Sequence, residues 1–187
     1  MIQIKNAAEL QKMRKACAIS AAALKAGGEA IEPGITTAEI DKIIYDFIVR
    51  HGARPNFLHL YGFPATACIS VNDTVIHGIP NKQQQIRPGD IVSIDTGCKI
   101  DGFNGDNACT YACGKIDLEA QRLLDVTKES LHRGIEMARG GNRVGDIGHA
   151  VQSYVEENGF SVVRTFVGHG VGKELHEDPE VPNFGNA

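Results

Sequence analysis

Two aspartates in one stretch of the sequence have the side chains and the surroundings that suit chemistry. Asp95 follows Ile91–Ile94, a run typical of a buried strand, where an unpaired carboxylate is costly. Asp106 comes eleven positions later, and Asp101-Gly102 between them favours a tight hairpin turn. Folding at that turn places the two carboxylates on neighbouring strands, roughly facing each other.

Two carboxylates this close inside a sheet repel each other, so they must share a proton or a cation. We favour a divalent metal ion, because the chain also carries histidines in loops. The competing interpretation is structural: Asp95 would pair with a lysine or an arginine, and Asp106 would belong to a turn.

Three histidines stand in loops beside glycine or acidic residues, where ligands of metals and substrates are often found. His169 lies in the segment GHGVG, whose glycines let a ligand approach the backbone and leave the imidazole unscreened. His176 lies in LHEDP and His77 in IHGIP. Alone, each could equally be structural, but together with the two aspartates they favour one site. The remaining histidines fit helices, helix ends or an aromatic loop: His51, His59, His132 and His149.

The elements that must position these residues alternate between helix and strand. Capping boxes at Asn6 and Thr36 predict the starts of two helices, and Gly52 ends the second. The expected helices cover residues 7–27, 36–52, 118–139 and 146–157, and the expected strands cover 67–71, the hairpin around Asp95, and 160–167. Residues 75–78 suit a short strand or a loop, and the segment after 167 is expected to be a glycine-rich loop.

This order of elements repeats itself along the chain. A shift of 107 residues places Gly34 on Gly141, Ile40 on Ile147, Phe47 on Tyr154 and Gly52 on Gly159. The identities are few, so the matching order of elements is the stronger sign of a repeat. The same shift places the last residue, Ala187, on Pro80, ahead of the first hairpin. We therefore expect the second half to lack its own hairpin.

Composition excludes several classes of protein. A net charge of −4 argues against a general nucleic-acid binder, and no apolar run approaches the ~20 residues of a membrane span. Five cysteines without a CxxC pair suit a reducing compartment, so we expect a cytoplasmic protein. A chain of 187 residues can bury a core large enough to need no disulfides.

Four motifs together resemble the type I methionine aminopeptidases, metallopeptidases of the pita-bread fold. They are SVNDTVIHGIP (70–80), GDIVSIDTG (89–97), FNGDNACT (103–110) and GHGVGKELHEDP (168–179), and the resemblance covers nearly the whole chain. It implies an α+β fold of the creatinase/aminopeptidase type, with pseudo-two-fold helix-helix-strand halves around a mainly antiparallel sheet and the second half truncated. Residues 1–187 would form a single catalytic domain that lacks its C-terminal part.

The resemblance also implies a centre of two divalent ions, such as Co, Mn, Fe or Zn, which carboxylates and imidazole suit. Its metal ligands would fall on Asp95, on Asp106 as the bridging carboxylate, and on His169. His77 and His176 would be the catalytic, substrate-contacting histidines. His176 would bind the scissile carbonyl oxygen, and His77 would lie near the scissile nitrogen.

The implied substrate is the N-terminal methionine of nascent proteins. An apolar pocket for its side chain would include Phe63 and Cys68, with Leu60 or His59 as further candidates, although these residues also suit an ordinary core. The implied protein is a monomer that works near the ribosome, without direct contact to nucleic acid or membrane.

One feature departs from the family's pattern. The family uses five protein ligands, of which the last two are glutamates downstream of the histidine loop. Nothing after His176 matches them, because Glu177 and Glu180 lie too close to that loop. We therefore expect residues 1–187 alone to bind metal weakly and to have little or no activity.

Two alternative functions stay open at this point. One is a pita-bread binding module without catalysis, which the retention of both aspartates and the three loop histidines disfavours. The other is a relative acting at X-Pro bonds, which the compact N-terminus disfavours.

Overall fold

The structure, a computed structural model, describes all 187 residues of the chain. The chain divides into two compact units. The hairpin unit comprises Ile4–Ile116 and Val171–Leu175, and the C-terminal unit comprises Met1–Gln3, Asp117–Gly170 and His176–Ala187. The segment Val171–Leu175 therefore belongs to the unit that contains both aspartates.

The hairpin unit begins with two helices, α1 (Ala7–Glu29) and α2 (Thr37–Arg50). Both start with the predicted capping boxes. The Glu9 N–H donates to Asn6 Oδ1 at 3.0 Å, and the Glu39 N–H donates to Thr36 Oγ1 at 3.2 Å. Each glutamate side chain in turn accepts a hydrogen bond from the backbone of its cap. Local sequence therefore fixes where these helices start.

The same unit contains a four-stranded antiparallel sheet made of β1 (Arg54–Pro55), β2 (Ala67–Val71), β3 (Ile91–Ile100) and β4 (Phe103–Ala112). The long strand β3 pairs with β4 along one edge and with β1 and β2 along the other. Asp101 and Gly102 connect β3 to β4 with φ angles of 53° and 83°. These angles define the two-residue hairpin turn that the sequence predicts.

Helices α1 and α2 pack against one face of this sheet and bury the main core. Its largest fully buried side chains include Ile40, Ile44 and Ile48 from α2 and Val92 and Ile94 from β3. Helix α1 lies so close to β4 that a Cβ on Gly105 would be only 2.5 Å from the backbone of Ala16. One face of the hairpin is thus covered by helix, and Asp95 and Asp106 lie on the other.

A partly buried carboxylate connects α2 to β2. Asp41 Oδ1 accepts hydrogen bonds from the backbone N–H groups of Thr66 and Ala67 at 2.9 and 2.8 Å. Burial raises the pKa of Asp41, and these two hydrogen bonds oppose that rise. The start of β2 is therefore held by a side chain from the helix.

The C-terminal unit contains α3 (Leu118–Met137), α4 (Val144–Glu157) and the antiparallel pair β5 (Gly168–Gly170) and β6 (Glu177–Val181). The prediction of a strand over 160–167 is wrong. That run pairs with no other strand, and its apolar residues Val163 and Phe166 are 44% and 49% exposed. β-Branched residues favour a strand only where they can pair and pack. None of the four helices is apolar over a stretch long enough to cross a membrane.

The repeat is visible in how each unit packs its own helix pair. Helices α2 and α4 have the same bounds after the shift of 107 residues. A Cβ on Gly27 of α1 would lie 2.7 Å from Ile44 of α2, and a Cβ on Gly134 of α3 would lie 2.9 Å from Val151 of α4. Both members of the second pair lie 107 residues after those of the first. The two pairs therefore share one packing despite few identities.

Candidate active site

Asp95 and Asp106 lie on neighbouring strands of the β3–β4 hairpin, as the turn predicts. In the register of the two strands, Asp95 stands opposite Ala108 and Asp106 stands opposite Gly97. Side chains alternate between the faces of a strand, so the two carboxylates share one face in diagonal positions. They are neighbours across the hairpin but not directly opposite each other.

The electrostatics of the pair follow from this placement. Burial is the largest cause that raises the pKa of Asp95, to about 7, and the negative charge of Asp106 and a hydrogen bond with its carboxyl group add to it. The two groups therefore share a proton near neutral pH. No lysine or arginine contributes to the shift, which argues against the alternative that Asp95 is one half of an ion pair.

Cys68 stands opposite Asp95 in β2 and contributes a neutral side chain to the same face. Burial and then the charges of Asp95 and Asp106 raise the pKa of the Cys68 thiol to about 12. A thiol with this pKa is protonated at neutral pH and is a poor nucleophile. Cys68 therefore places a small, polarizable and uncharged side chain beside Asp95.

A small apolar cluster forms in the hairpin unit apart from the main core. Phe57, Cys68 and Leu175 are buried in it, and Leu60 and Phe63 pack against them. The structure thus brings together Leu60, Phe63 and Cys68, three of the residues predicted for a substrate pocket. Sequence reasoning missed Phe57 and Leu175. The position of Leu175 directly before His176 was the signal that could have found it.

His59, a further pocket candidate, lies beside this cluster. It has a φ of 69° and lines a cavity of about 490 Å³, to which Asn56, Asn104 and Leu175 also contribute. Leu175 borders both the cavity and the apolar cluster. His59 is therefore next to the cluster and is not one of its packed members.

His169 and His176, both in the C-terminal unit, are in contact with each other. The rings of His169 and His176 meet edge to face, with centroids 4.4 Å apart. His169 Nδ1 lies 2.9 Å from the carbonyl oxygen of Gly170, and since a carbonyl only accepts, Nδ1 carries the proton. Nε2 is therefore the nitrogen whose lone pair can bind a metal.

His77 lies in a loop of the hairpin unit. Its φ is 58°, and it precedes Gly78, where a Cβ would lie 2.1 Å from the carbonyl oxygen of Ile69. The Ile69 N–H donates to the Gly78 carbonyl at 2.8 Å, and the Gly78 N–H donates to Ser70 Oγ at 3.1 Å. This loop is thereby tied to β2 with His77 exposed at its turn.

The residues predicted as metal ligands are distributed over both units. Asp95 and Asp106 belong to the hairpin unit, and His169 belongs to the C-terminal unit. Within either unit alone, no group of three or more histidine, cysteine, aspartate or glutamate side chains is arranged to hold a metal ion. The carboxylate pair thus lies in the hairpin unit, and the histidine pair lies in the C-terminal unit.

Comparison with known proteins defines the class. The sequence profile of metallopeptidase family M24 matches residues 11–187. A methionine aminopeptidase of Clostridium perfringens is 54% identical over 185 residues, which cover 99% of this chain and 74% of that protein. The chain belongs to metallopeptidase family M24, among its methionine aminopeptidases.

Solved structures confirm the predicted α+β, pita-bread fold. The crystal structure of the methionine aminopeptidase from Rickettsia prowazekii matches with a TM-score of 0.97 and 39% identity, over 100% of this chain and 75% of that one. The prolidase from Pyrococcus furiosus matches with a TM-score of 0.84 but only 23% identity, which shows the fold alone. An X-Pro activity is therefore not favoured.

Proposed function

We propose that this chain removes the N-terminal methionine of nascent proteins by metal-dependent hydrolysis of the first peptide bond. The observation behind the proposal is that the carboxylates of Asp95 and Asp106 lie on one face of the β3–β4 hairpin in diagonal positions. This pair lies in a chain 54% identical to a methionine aminopeptidase. A binding module without catalysis has no need for two carboxylates that destabilise each other.

The donor groups fit a divalent metal. Asp95 and Asp106 repel each other unless they share a proton, and a divalent cation between them removes the same repulsion. We assign His169 as a further ligand through Nε2, because Nδ1 already donates to the Gly170 carbonyl. Carboxylate and imidazole donors suit two ions of Mn, Fe, Co or Zn. When bound, these ions would polarise the scissile carbonyl group and activate a water molecule.

The chain's own residues bind and orient the substrate. His176 donates a hydrogen bond to the scissile carbonyl oxygen, where negative charge develops during attack. His77 contacts the scissile nitrogen, and its left-handed φ of 58° in a loop tied to β2 holds its backbone in one place. Both histidines therefore act as catalytic groups that touch the reacting bond.

The methionine side chain occupies the apolar cluster of the hairpin unit. Phe63 and Cys68 contact it, together with Phe57, Leu60 and Leu175. The neutral thiol of Cys68 and the aromatic rings suit a flexible, polarizable thioether, and the cluster has no charged member.

The setting of the reaction follows from the substrate. We propose that the protein acts as a cytoplasmic monomer on chains that emerge from the ribosome. All five cysteines are free thiols, which suits a reducing compartment.

Metal binding and methionine release test the proposal together. Titration with Mn²⁺ or Co²⁺ in a calorimeter measures affinity, and release of methionine from Met-Ala-Ser measures turnover. We expect Asp95→Asn and Asp106→Asn each to weaken metal binding at least tenfold and to abolish release. The control Asp46→Asn removes an exposed carboxylate that pairs with Lys42 in α2, and it should change neither. Because residues 1–187 alone are expected to bind metal weakly and to release little methionine, the difference in metal affinity decides the test. Wild-type affinity for Mn²⁺ and Co²⁺ in both Asp95→Asn and Asp106→Asn would contradict the proposal.

A further inference from the structure

Asn104 is a buried polar residue that the proposed chemistry does not use. It lies on β4 two positions before Asp106 and is 2% exposed. Its Nδ2 donates to the carbonyl oxygens of both Gly172 and Lys173 at 3.0 Å each, and its backbone N–H donates to Gly172 at 2.8 Å. Both hydrogens of the amide are therefore used to hold the segment Val171–Leu175 against β4.

The oxygen of the same amide faces a second segment. Asn56 Nδ2 donates to Asn104 Oδ1 at 3.4 Å and to the carbonyl oxygen of Gly105 at 3.5 Å. Asn56 directly precedes Phe57, and the segment held by Nδ2 ends at Leu175. Phe57 and Leu175 are the two buried members of the apolar cluster that lie outside β2, and they are 8% and 9% exposed.

Two further side-chain contacts of this segment lie at the surface. Lys99 Nζ donates to the Lys173 carbonyl, and Lys173 Nζ lies 2.8 Å from Glu9 Oε1 with side chains 58% and 24% exposed. Exposed pairs of this kind contribute little to stability. Loss of the Asn104 amide, by contrast, would remove a donor that lies in the interior from both carbonyl groups. The Gly172 carbonyl would keep only the backbone N–H of residue 104, and the Lys173 carbonyl would keep only the surface donor Lys99. The position of the segment therefore depends on the Asn104 side chain.

We propose that Asn104 is a positioning residue for the pocket that receives the substrate's first side chain. It fixes Leu175 through the segment Val171–Leu175, and it supports Phe57 through Asn56. The identity of the side chain as methionine rests on the proposed function. The positioning itself concerns only contacts within the hairpin unit.

Hydrogen exchange tests the positioning without metal or substrate. Asn104→Ala removes the amide, and Asn104→Asp keeps its size but removes both N–H donors. In each variant we expect backbone amides in 171–175 to exchange at least tenfold faster, while those of α2 keep their wild-type rates. The control Lys99→Met removes an exposed donor to the same segment and should change exchange less than threefold. Wild-type exchange in a folded Asn104→Ala variant would overturn the proposal.

A milder variant covers the case in which both substitutions prevent folding, as judged by circular dichroism. Asn104→Ser keeps one short donor and should give an increase in exchange between those of wild type and alanine. Wild-type exchange in this variant would equally count against the assignment.

Kinetics with two peptides separate positioning from a general structural effect. With Met-Ala-Ser, we expect Asn104→Ala to raise KM about tenfold and to change kcat less than threefold. The preference of this variant for Met-Ala-Ser over Ala-Ala-Ser, measured as the ratio of the two kcat/KM values, should be about tenfold lower than that of wild type. A lower kcat with unchanged KM and unchanged preference would refute the pocket assignment. If Asp95→Asn and Asp106→Asn both keep the wild-type affinity for Mn²⁺ and Co²⁺, the proposed function fails, and the exchange result still decides whether Asn104 positions the segment.

Discussion

At the scale of single residues, the pairing of Asp95 with Asp106 has the widest consequences. Burial, and then the charge of Asp106 on the same face of the hairpin, raise the pKa of Asp95 to about 7, so the folded chain holds a proton that the unfolded chain releases. The same repulsion that favours this proton also favours a divalent cation. Stability and metal binding are thereby linked through one pair of side chains.

The metal-free chain should lose stability as pH rises from 5 to 8. The pKa of Asp95 is about 7 in the folded chain, well above its ordinary value of 3.8, so the folded state binds this proton more tightly than the unfolded state does. The contribution is fully present below about pH 4 and is lost as pH rises through 7. Urea unfolding in EDTA should show a loss of roughly 2–3 kcal/mol relative to Asp95→Asn. Equal pH dependence in wild type and this variant would contradict the coupling.

At the scale of elements, the placement of α1 on β4 depends on positions without side chains. A Cβ on Gly28 would lie 2.2 Å from the ring of Tyr111, whose hydroxyl donates to the Leu24 carbonyl at 3.4 Å. Helix propensity alone would favour alanine at Gly28, so packing has overridden propensity there. The glycine lets the helix cover the face of the hairpin opposite to the aspartates.

Gly28→Ala should therefore destabilise the protein, although the same change in an exposed helix stabilises it. Because the new methyl group meets an aromatic ring, we expect a loss of roughly 1–3 kcal/mol in urea unfolding. The double variant Gly28→Ala with Tyr111→Leu should lose less than the sum of the two single changes, since the ring is then absent. Strict additivity would show that the clash is not the cause.

At the scale of the whole molecule, the same helix-pair packing occurs once in each unit. Gly27 lies against Ile44 in the hairpin unit, and Gly134 lies against Val151 in the C-terminal unit. The two copies differ in burial: Ile40 is fully buried, whereas its counterpart Ile147 is only partly buried. One packing arrangement therefore stabilises the two units to different degrees.

Matched substitutions at the repeated position measure this difference. Ile40→Ala should cost roughly 2–5 kcal/mol, because it opens a cavity in a fully buried core. Ile147→Ala removes the same atoms from a partly exposed position and should cost about half as much. Thermal and urea unfolding of the two variants provide the comparison. Equal losses, or a larger loss for Ile147→Ala, would contradict the difference in burial.

The sequence by itself determined the features that depend on neighbours along the chain. Capping boxes at Asn6 and Thr36 set the helix starts, and Asp101-Gly102 set the hairpin that brings Asp95 and Asp106 onto adjacent strands. These rules act over a few residues, so they can be read without coordinates. The resemblance of four short motifs indicated the family in the same way, because each motif is also a local run of residues.

Only the tertiary structure decided which distant residues meet. The diagonal offset of the aspartates depends on strand register, and the bonds from Asn104 to Gly172 join residues 68 positions apart. Leu175 packs in the apolar cluster with Phe57 and Cys68, which lie far from it along the chain. The expected strand at 160–167 did not form because no other strand pairs with it. Such outcomes depend on packing and on hydrogen-bond partners far along the chain, which local preference does not specify.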